Sequence, residues 1–290
     1  MKKTFETPGA VRLHVENEVG LVAITARETH ATVVSLEPDT PGAEEIIEQA
    51  TVECRAAGSR HMVAVKVPHR YGMRFVRRNA VIVRAEVPHG CDVTVVTGSA
   101  DVEITGSIDA AEIKSASGRV TTDDVAANVT AETASGDITV GAVGGELRVH
   151  TASGDLRCSS VAGTAVFSTT SGDLELGAAA GRVEVKATSG NVRLGELSHG
   201  ARIVNVSGDV RVLTLGEGAL RVRSVSGDVS VGVARGVNLH VDVETMSGLV
   251  HSDISLEDAP GSGSRDVRVD LSVRSVSGNI EIERALEQVA

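Results

Sequence analysis

The stretch TASGDITV, Thr133–Val140, returns eighteen residues later as TASGDLRC, Thr151–Cys158, and eighteen further on as TTSGDLEL, Thr169–Leu176. The anchoring serines are Ser99, Ser117, Ser135, Ser153, Ser171, Ser189, Ser207, Ser226, Ser247 and Ser277. The first six spacings are all 18, and the rest are 19, 21 and 30. A glycine follows every anchor except Ser99, where Ala100 stands. Self-similarity at a fixed short period is the sequence sign of a stacked repeat.

Each eighteen divides into two nines, such as SGDITVGAV (Ser135–Val143) and GGELRVHTA (Gly144–Ala152). Each nine opens with a small turn and then alternates apolar and polar residues, which is the strand period. The pattern points Ile138 and Val140, Leu156 and Cys158, Leu174 and Leu176, and Val229 and Val231 inward after the turn. Before the next serine it points inward Leu147 and Val149, Val183 and Val185, Leu220 and Val222, Val241 and Val243, and Leu271 and Val273. Where the spacing grows, the extra residues fall in turns, as in the insertion near residues 256–266, and the apolar pairs keep phase. The expected fold is all-β: a single-chain β-solenoid with two strands in each coil of about 18 residues, stacked about 4.8 Å apart. Some nine coils would give a rod of about 45 Å.

Composition agrees. Of 290 residues, 41 % are hydrophobic, yet there is no Trp, one Tyr (Tyr71) and three Phe (Phe5, Phe75, Phe167). A core of Val and Ala without aromatic bulk must be thin, and Val with Gly favours strands and tight turns. The net charge of −11 and the lack of stacking aromatics argue against nucleic acid as a partner. The one basic cluster, Arg70–Arg78, reads as a solvated loop or hairpin. No window supplies the roughly 18 apolar residues of a membrane span, and the first twenty residues lack the apolar core of a signal peptide. Cys54, Cys91 and Cys158 are odd in number, widely spaced and set in or beside strand patterns, which suits buried thiols in a reducing cytoplasm.

Residues 1–90 are less regular and read as a β-rich cap or wider first coils, ahead of the regular repeats of 91–290. NEVGLVAI places Gly20, Val22 and Ile24 where the repeat has Gly136, Ile138 and Val140, so the solenoid begins near Asn17. Pro41 followed by Glu44, Glu45, Ile46 and Ile47 predicts a short helix near 41–50. The closing ERALEQVA reads as a short helical cap. Solenoid ends left bare offer a route to self-association.

Chemistry is the weaker signal. Asp137, Asp155, Asp173, Asp209 and Asp228 follow the turn glycines, with Asn191 among them. Stacked, these carboxylates line one edge and are the candidate metal site. Like charges about 4.8 Å apart repel by roughly 1 kcal/mol in water, so such a ladder needs a reason. Turn chemistry supplies one, since Asp and Asn both bond to nearby backbone. Asn191, Asn279, Arg119 and Leu249 at the same position favour the turn over the metal. Ten equivalent serines mark out no nucleophile, and nine scattered histidines include no H-x-x-x-H ligand pair. His69 and His89 each stand just after a strand, and no H-x-x-x-H or C-x-x-C spacing makes a metal site of them. The aligned threonines Thr133, Thr151 and Thr169 give way to Ala187, Asn205 and Ser224, so no flat threonine face extends. We expect no catalytic residues and no cofactor.

The opening FETPGAVRLHVENEVGLVAI, the middle VIVRAEVPHGCDVTVVTGSADVEI, and the run SASGRV, TASGDI, TTSGDL, NVSGDV and SVSGNI resemble a bacterial β-strand-repeat family of unknown function, common in actinobacteria, whose members are called candidate adhesins. The resemblance covers nearly the whole chain and implies the fold; it carries no catalytic residues. The expectation is a cytoplasmic, non-enzymatic scaffold or protein-interaction surface with an unidentified protein partner. The alternatives are a secreted or cell-surface adhesin and a cation-binding module on the aspartate edge.

Overall fold

The computed structural model describes residues 1–58, 60–68, 79–254 and 268–285. The basic cluster at Arg70–Arg78 with His69, the insertion near 256–266 and most of the C-terminal ERALEQVA lie outside the described residues. The chain divides into two compact units, Met1–Gly145 and Glu146–Ala290.

The first unit opens with β1 (Lys2–Glu6), β2 (Ala10–Asn17), β3 (Gly20–Arg27), β4 (Ala31–Pro38) and the short helix α1 (Glu44–Gln49). It continues with β5 (Thr51–Ala57), β6 (Arg60–Lys66), β7 (Val81–Pro88), β8 (Asp92–Thr97) and β9 (Asp101–Thr105). Strands β10 (Ala110–Ser115), β11 (Val120–Thr122), β12 (Val129–Thr133) and β13 (Ile138–Val143) complete it. One sheet runs β1-β4-β7-β3-β9-β11-β13 and the other β5-β6-β2-β8-β10-β12. Pairing is parallel within the coils, at an offset of 18 residues from Ala111 to Val129 and from Val120 to Ile138. Only the β1–β4, β4–β7 and β5–β6 pairings are antiparallel among the described strands. The match at Asn17 holds, because Val22 lies beside Val102 and Ile24 beside Ile104.

The second unit holds β14 (Leu147–Ser153), β15 (Leu156–Val161), β16 (Ala165–Ser171), β17 (Leu174–Ala179), β18 (Val183–Ser189), β19 (Val192–Leu197) and β20 (Gly200–Ser207). It ends with β21 (Val210–Leu215), β22 (Gly218–Ser226), β23 (Val229–Val233), β24 (Asn238–Ser247), β25 (Val250–Ser252), β26 (Arg268–Ser277) and β27 (Ile280–Arg284). Its sheets run β15-β17-β19-β21-β23-β27-β25 and β14-β16-β18-β20-β22-β26-β24.

Coil order is not chain order where each unit meets its terminus. In the first unit β2 and β3 lie between β6/β7 and β8/β9. In the second, β26 and β27 slide between β22/β23 and β24/β25. Each terminal coil is thus paired on both sides, and a coil from further inside the chain takes the outer position.

The inward pairs read from sequence are buried throughout the regular coils, with one exception. Val241 is 43 % exposed and Val243 half-buried, because among the described residues β24 is the outermost strand and one of its sides has no neighbouring coil. A third core position also appears in each coil, at Val125 and Val143 in the first unit and at Val161, Ala179, Leu197, Leu215 and Val233 in the second. In β13, β15, β17 and β21 it follows two outward residues and so escapes a search with period two. The threonine column faces inward rather than outward. Thr133, Thr151 and Thr169 are buried at the corner, and Thr133 Oγ1 accepts the Gly136 N–H at 3.0 Å. Thr169 Oγ1 donates to the Ser171 carbonyl at 3.0 Å, so the Thr133 and Thr169 hydroxyls satisfy turn backbone, whereas the buried Thr151 Oγ1 makes no hydrogen bond among the described residues.

Candidate functional site

The corner after each anchoring serine decides what the aspartates do. Gly172 has φ of +119°, and a Cβ there would sit 2.2 Å from the Gly154 carbonyl oxygen, so only glycine fits under the neighbouring coil. The serine beside it, Ser171, is exposed, as are Ser153, Ser189 and Ser207. The next residue turns its side chain along the stack. In the second unit Asp155 Oδ1 accepts the Asp173 N–H at 3.0 Å, and Asp173 Oδ1 accepts the Asn191 N–H at 2.8 Å. Asn191 Oδ1 then accepts the Asp209 N–H at 3.0 Å, Asp209 Oδ1 the Asp228 N–H at 2.9 Å, and Asp228 Oδ1 the Asn279 N–H at 2.7 Å. Asn279 passes the chain to Leu249 N at 3.1 Å. In the first unit Asp101 Oδ1 does the same for the Arg119 N–H at 2.8 Å.

Each link needs an sp² oxygen and not a charge, which is why Asn191 and Asn279 serve as well as aspartate. The last residue of a run needs only an N–H to donate, which is why Arg119 and Leu249 are tolerated. A carboxylate accepting a backbone N–H also gains more than a neutral acceptor does. That offsets the repulsion between successive aspartates. Asp137 and Asp155 of the candidate set lie in different units; Asp155, Asp173, Asp209 and Asp228 share one edge of the second. No group of three or more His, Cys, Asp or Glu side chains is placed to hold a metal ion among the described residues.

Beside this edge lies an open groove of about 600 Å³. Its floor is an outward column in continuous register: Arg157, Glu175, Arg193, Arg211, Ser230 and Glu281 on successive strands. Arg157 bonds Asp155 at 3.2 Å and approaches Glu175 at 4.0 Å. Sequence reading missed this column, although a polar residue between the two inward positions of each strand could have found it once the register was known. The arrangement offers fixed charges of both signs on a stiff floor, suited to recognising a polar surface.

The other reactive groups lie apart from the groove. His14 and Lys66 both contact Glu16 at 2.8 Å, His199 contacts Glu217 at 3.1 Å and His251 contacts Asp253 at 2.8 Å. His89 Nδ1 lies 3.3 Å from the Ser107 carbonyl. The Glu16 carboxyl is held below its ordinary range by hydrogen bonds from Lys66 and His14. Cys91 and Cys158 are buried free thiols, each pushed up to about 12 by desolvation, which makes them poor nucleophiles at neutral pH. Cys54 is half-buried and also raised by burial.

Comparison with known proteins now identifies the class. The sequence profile of the Toastrack family, DUF4097, matches residues 22–194 and again 129–283, and the chain belongs to that family. Two solved structures are similar to it. A candidate adhesin from Bacteroides fragilis NCTC 9343 has 11 % identity and a TM-score of 0.39, over 97 % of this chain and 96 % of that one. A candidate adhesin from Parabacteroides distasonis ATCC 8503 has 12 % identity and a TM-score of 0.38, over the same shares. No curated protein matches the chain. No helix among the described residues is long and apolar enough to cross a membrane.

Proposed function

We propose that the chain is a non-catalytic interaction module, a stiff β-repeat scaffold whose grooved face in the second unit binds a protein partner in the cytoplasm. The observation that carries this reading is the registered column from Arg157 to Glu281 beside the locked aspartate edge. Arg193 and Arg211 lie directly opposite one another on β19 and β21, and among the described residues no acidic side chain lies within ion-pair distance of either. Like charges held opposite destabilise a sheet slightly. A partner that supplies carboxylates there would relieve that cost and find the guanidinium forks already placed.

The test is quantitative capture from native host lysate on immobilised wild-type protein and on R193E/R211E. A partner enriched by the wild type and lost from the variant is the expected result. Equal capture by both would remove the groove from the reading. Fractionation of the host cells, with the protein followed by antibody, separates the cytoplasmic role from the alternative of adhesion at the cell surface.

A further inference from the structure

The opposite sheet of the second unit carries a second pattern on its last three strands in space, β22, β26 and β24. Beyond the mixed column of Ala219, Asp270 and His240, in which Asp270 is paired with Arg268 at 3.0 Å, their outward residues form two graded columns. One runs Arg221, Ser272, Asp242 and the other Arg223, Arg274, Glu244. Strand β22 is therefore basic at both positions and β24 acidic at both, with β26 midway between them. A third column lies one residue before the anchoring serines and holds Val225, Val276 and Met246, exposed by 48 %, 46 % and 81 %. Earlier coils place Ala116, Ala134, Ala152, Thr170 and Thr188 at that position, and Val206 on the adjacent β20, 43 % exposed, begins the ridge. The apolar ridge thus belongs to this end of the unit and not to the repeat.

A face that is positive on one flank, negative on the other and apolar alongside is complementary to itself. A two-fold axis lying in the interface parallel to β26 would lay β22 of one copy over β24 of the other. Arg221 would then meet the second copy's Asp242, and Arg223 its Glu244, and each pair would occur twice. The same operation puts Val225 against the second copy's Met246 and Val276 against its own equivalent. Arg274, on the axis, faces its own equivalent. It stays balanced by Asp242 and Glu244 of its own chain, each 3.9 Å away.

We propose that this face is the contact between two copies of the chain, joined by the β22–β26–β24 surface across a two-fold axis. The inference goes beyond the proposed function, which concerns the other sheet. Two sheets packed face to face with aligned strands are a common solution for apolar β-surfaces. The charge columns would set the register and exclude other alignments.

Sedimentation velocity of the full chain at micromolar concentration, near physiological salt, tests it. The wild type is expected to be a dimer. R221E/R223E and D242R/E244R are each expected to raise the dimer dissociation constant about a hundredfold or more. An equimolar mixture of the two variants should regain the dimer, because each opposed pair then carries opposite signs again. That rescue separates a lost contact from a misfolded variant. A monomeric wild type would overturn the proposal, including the case where it sediments with phosphatidylglycerol vesicles and the face serves a membrane. A dimer indifferent to both variants, or a mixture that stays monomeric, would overturn it too.

Discussion

The outer coils of the two units use the same repeat positions to different effect. In the first unit Val63 of β6 and Val83 of β7 are completely buried. At the matching positions of the second unit Val241 of β24 is 43 % exposed and Val250 of β25 is 51 % exposed. The difference is the cover. Strands β5 and β4 pair antiparallel along the outer edges of β6 and β7, and β1 pairs with β4 in turn. Helix α1 adds buried Ile46 and Ile47. Its N-cap, Ala43, and C-cap, Ala50, are buried as well. Among the described residues β24 and β25 have no such cover. An inward-pointing position in a solenoid is a core position only when coils lie on both sides of it.

The largest effect follows directly. Val63→Asp places a carboxylate in a fully buried site with no cation to meet it, and should cost about 4 kcal/mol or more. Val241→Asp leaves its carboxylate at the edge and should cost under about 1 kcal/mol. Hydrogen exchange on both variants checks this. Protection should collapse over β6 and β7 in the first and stay near wild type over β26 and β27 in the second. Equal losses would mean that β24 is covered in solution.

The sequence already carried the coil, the short helix and the match of Val22 and Ile24 to the later repeat, though the stack takes in β2 from Ala10 and not only from Asn17. Each rests on a local period or cap signal that survives in one dimension. The exchange of coil order did not show, because spacings of 21 and 30 residues are compatible with either neighbour of Ser226. Nor did the incomplete burial of Val241, since the alternation is the same in covered and uncovered coils. The aspartates were legible as turn residues. Their acceptance of the next coil's N–H depends on which coil lies next, and only the register shows that. The outward columns on β22, β24 and β26 stayed hidden for the same reason. Arg221 and Asp242 are twenty-one residues apart, and only the intercalation of β26 sets them symmetrically about one strand.

A smaller effect probes whether the core is equally tight in both units. Cys91 in the first and Cys158 in the second are each raised to about 12, against about 9 for a free thiol. A raised folded-state value favours the neutral thiol of the native form. Its contribution is complete below pH 9 and is lost as pH rises from about 9 toward 12, because the unfolded chain ionises first. Each thiol can therefore remove up to about 1.4 kcal/mol for each pH unit in that window. Thermal melts at pH 8 and pH 10 should show the loss, and Cys91→Ala and Cys158→Ala should each reduce it by a similar amount. A reduction from one substitution alone would show that the two units differ in core tightness as well as in their edges.

The smallest effect falls on the aspartate edge and separates turn from metal. Asp173 accepts the Asn191 N–H, and Asn191 in turn accepts the Asp209 N–H with its amide oxygen. Asp173→Asn keeps an oxygen in place and removes a like charge from the column, so stability should change by less than about 0.5 kcal/mol. Asp173→Ala leaves the Asn191 N–H to water at an exposed corner and should cost about 1 kcal/mol. Melts with millimolar calcium complete the comparison. A ladder that works through oxygen geometry predicts the same melting temperature with and without the ion, in the wild type and in both variants. A calcium-dependent rise in the wild type that Asp173→Asn abolishes would show that the charge, which the hydrogen bond does not require, is there to hold a cation.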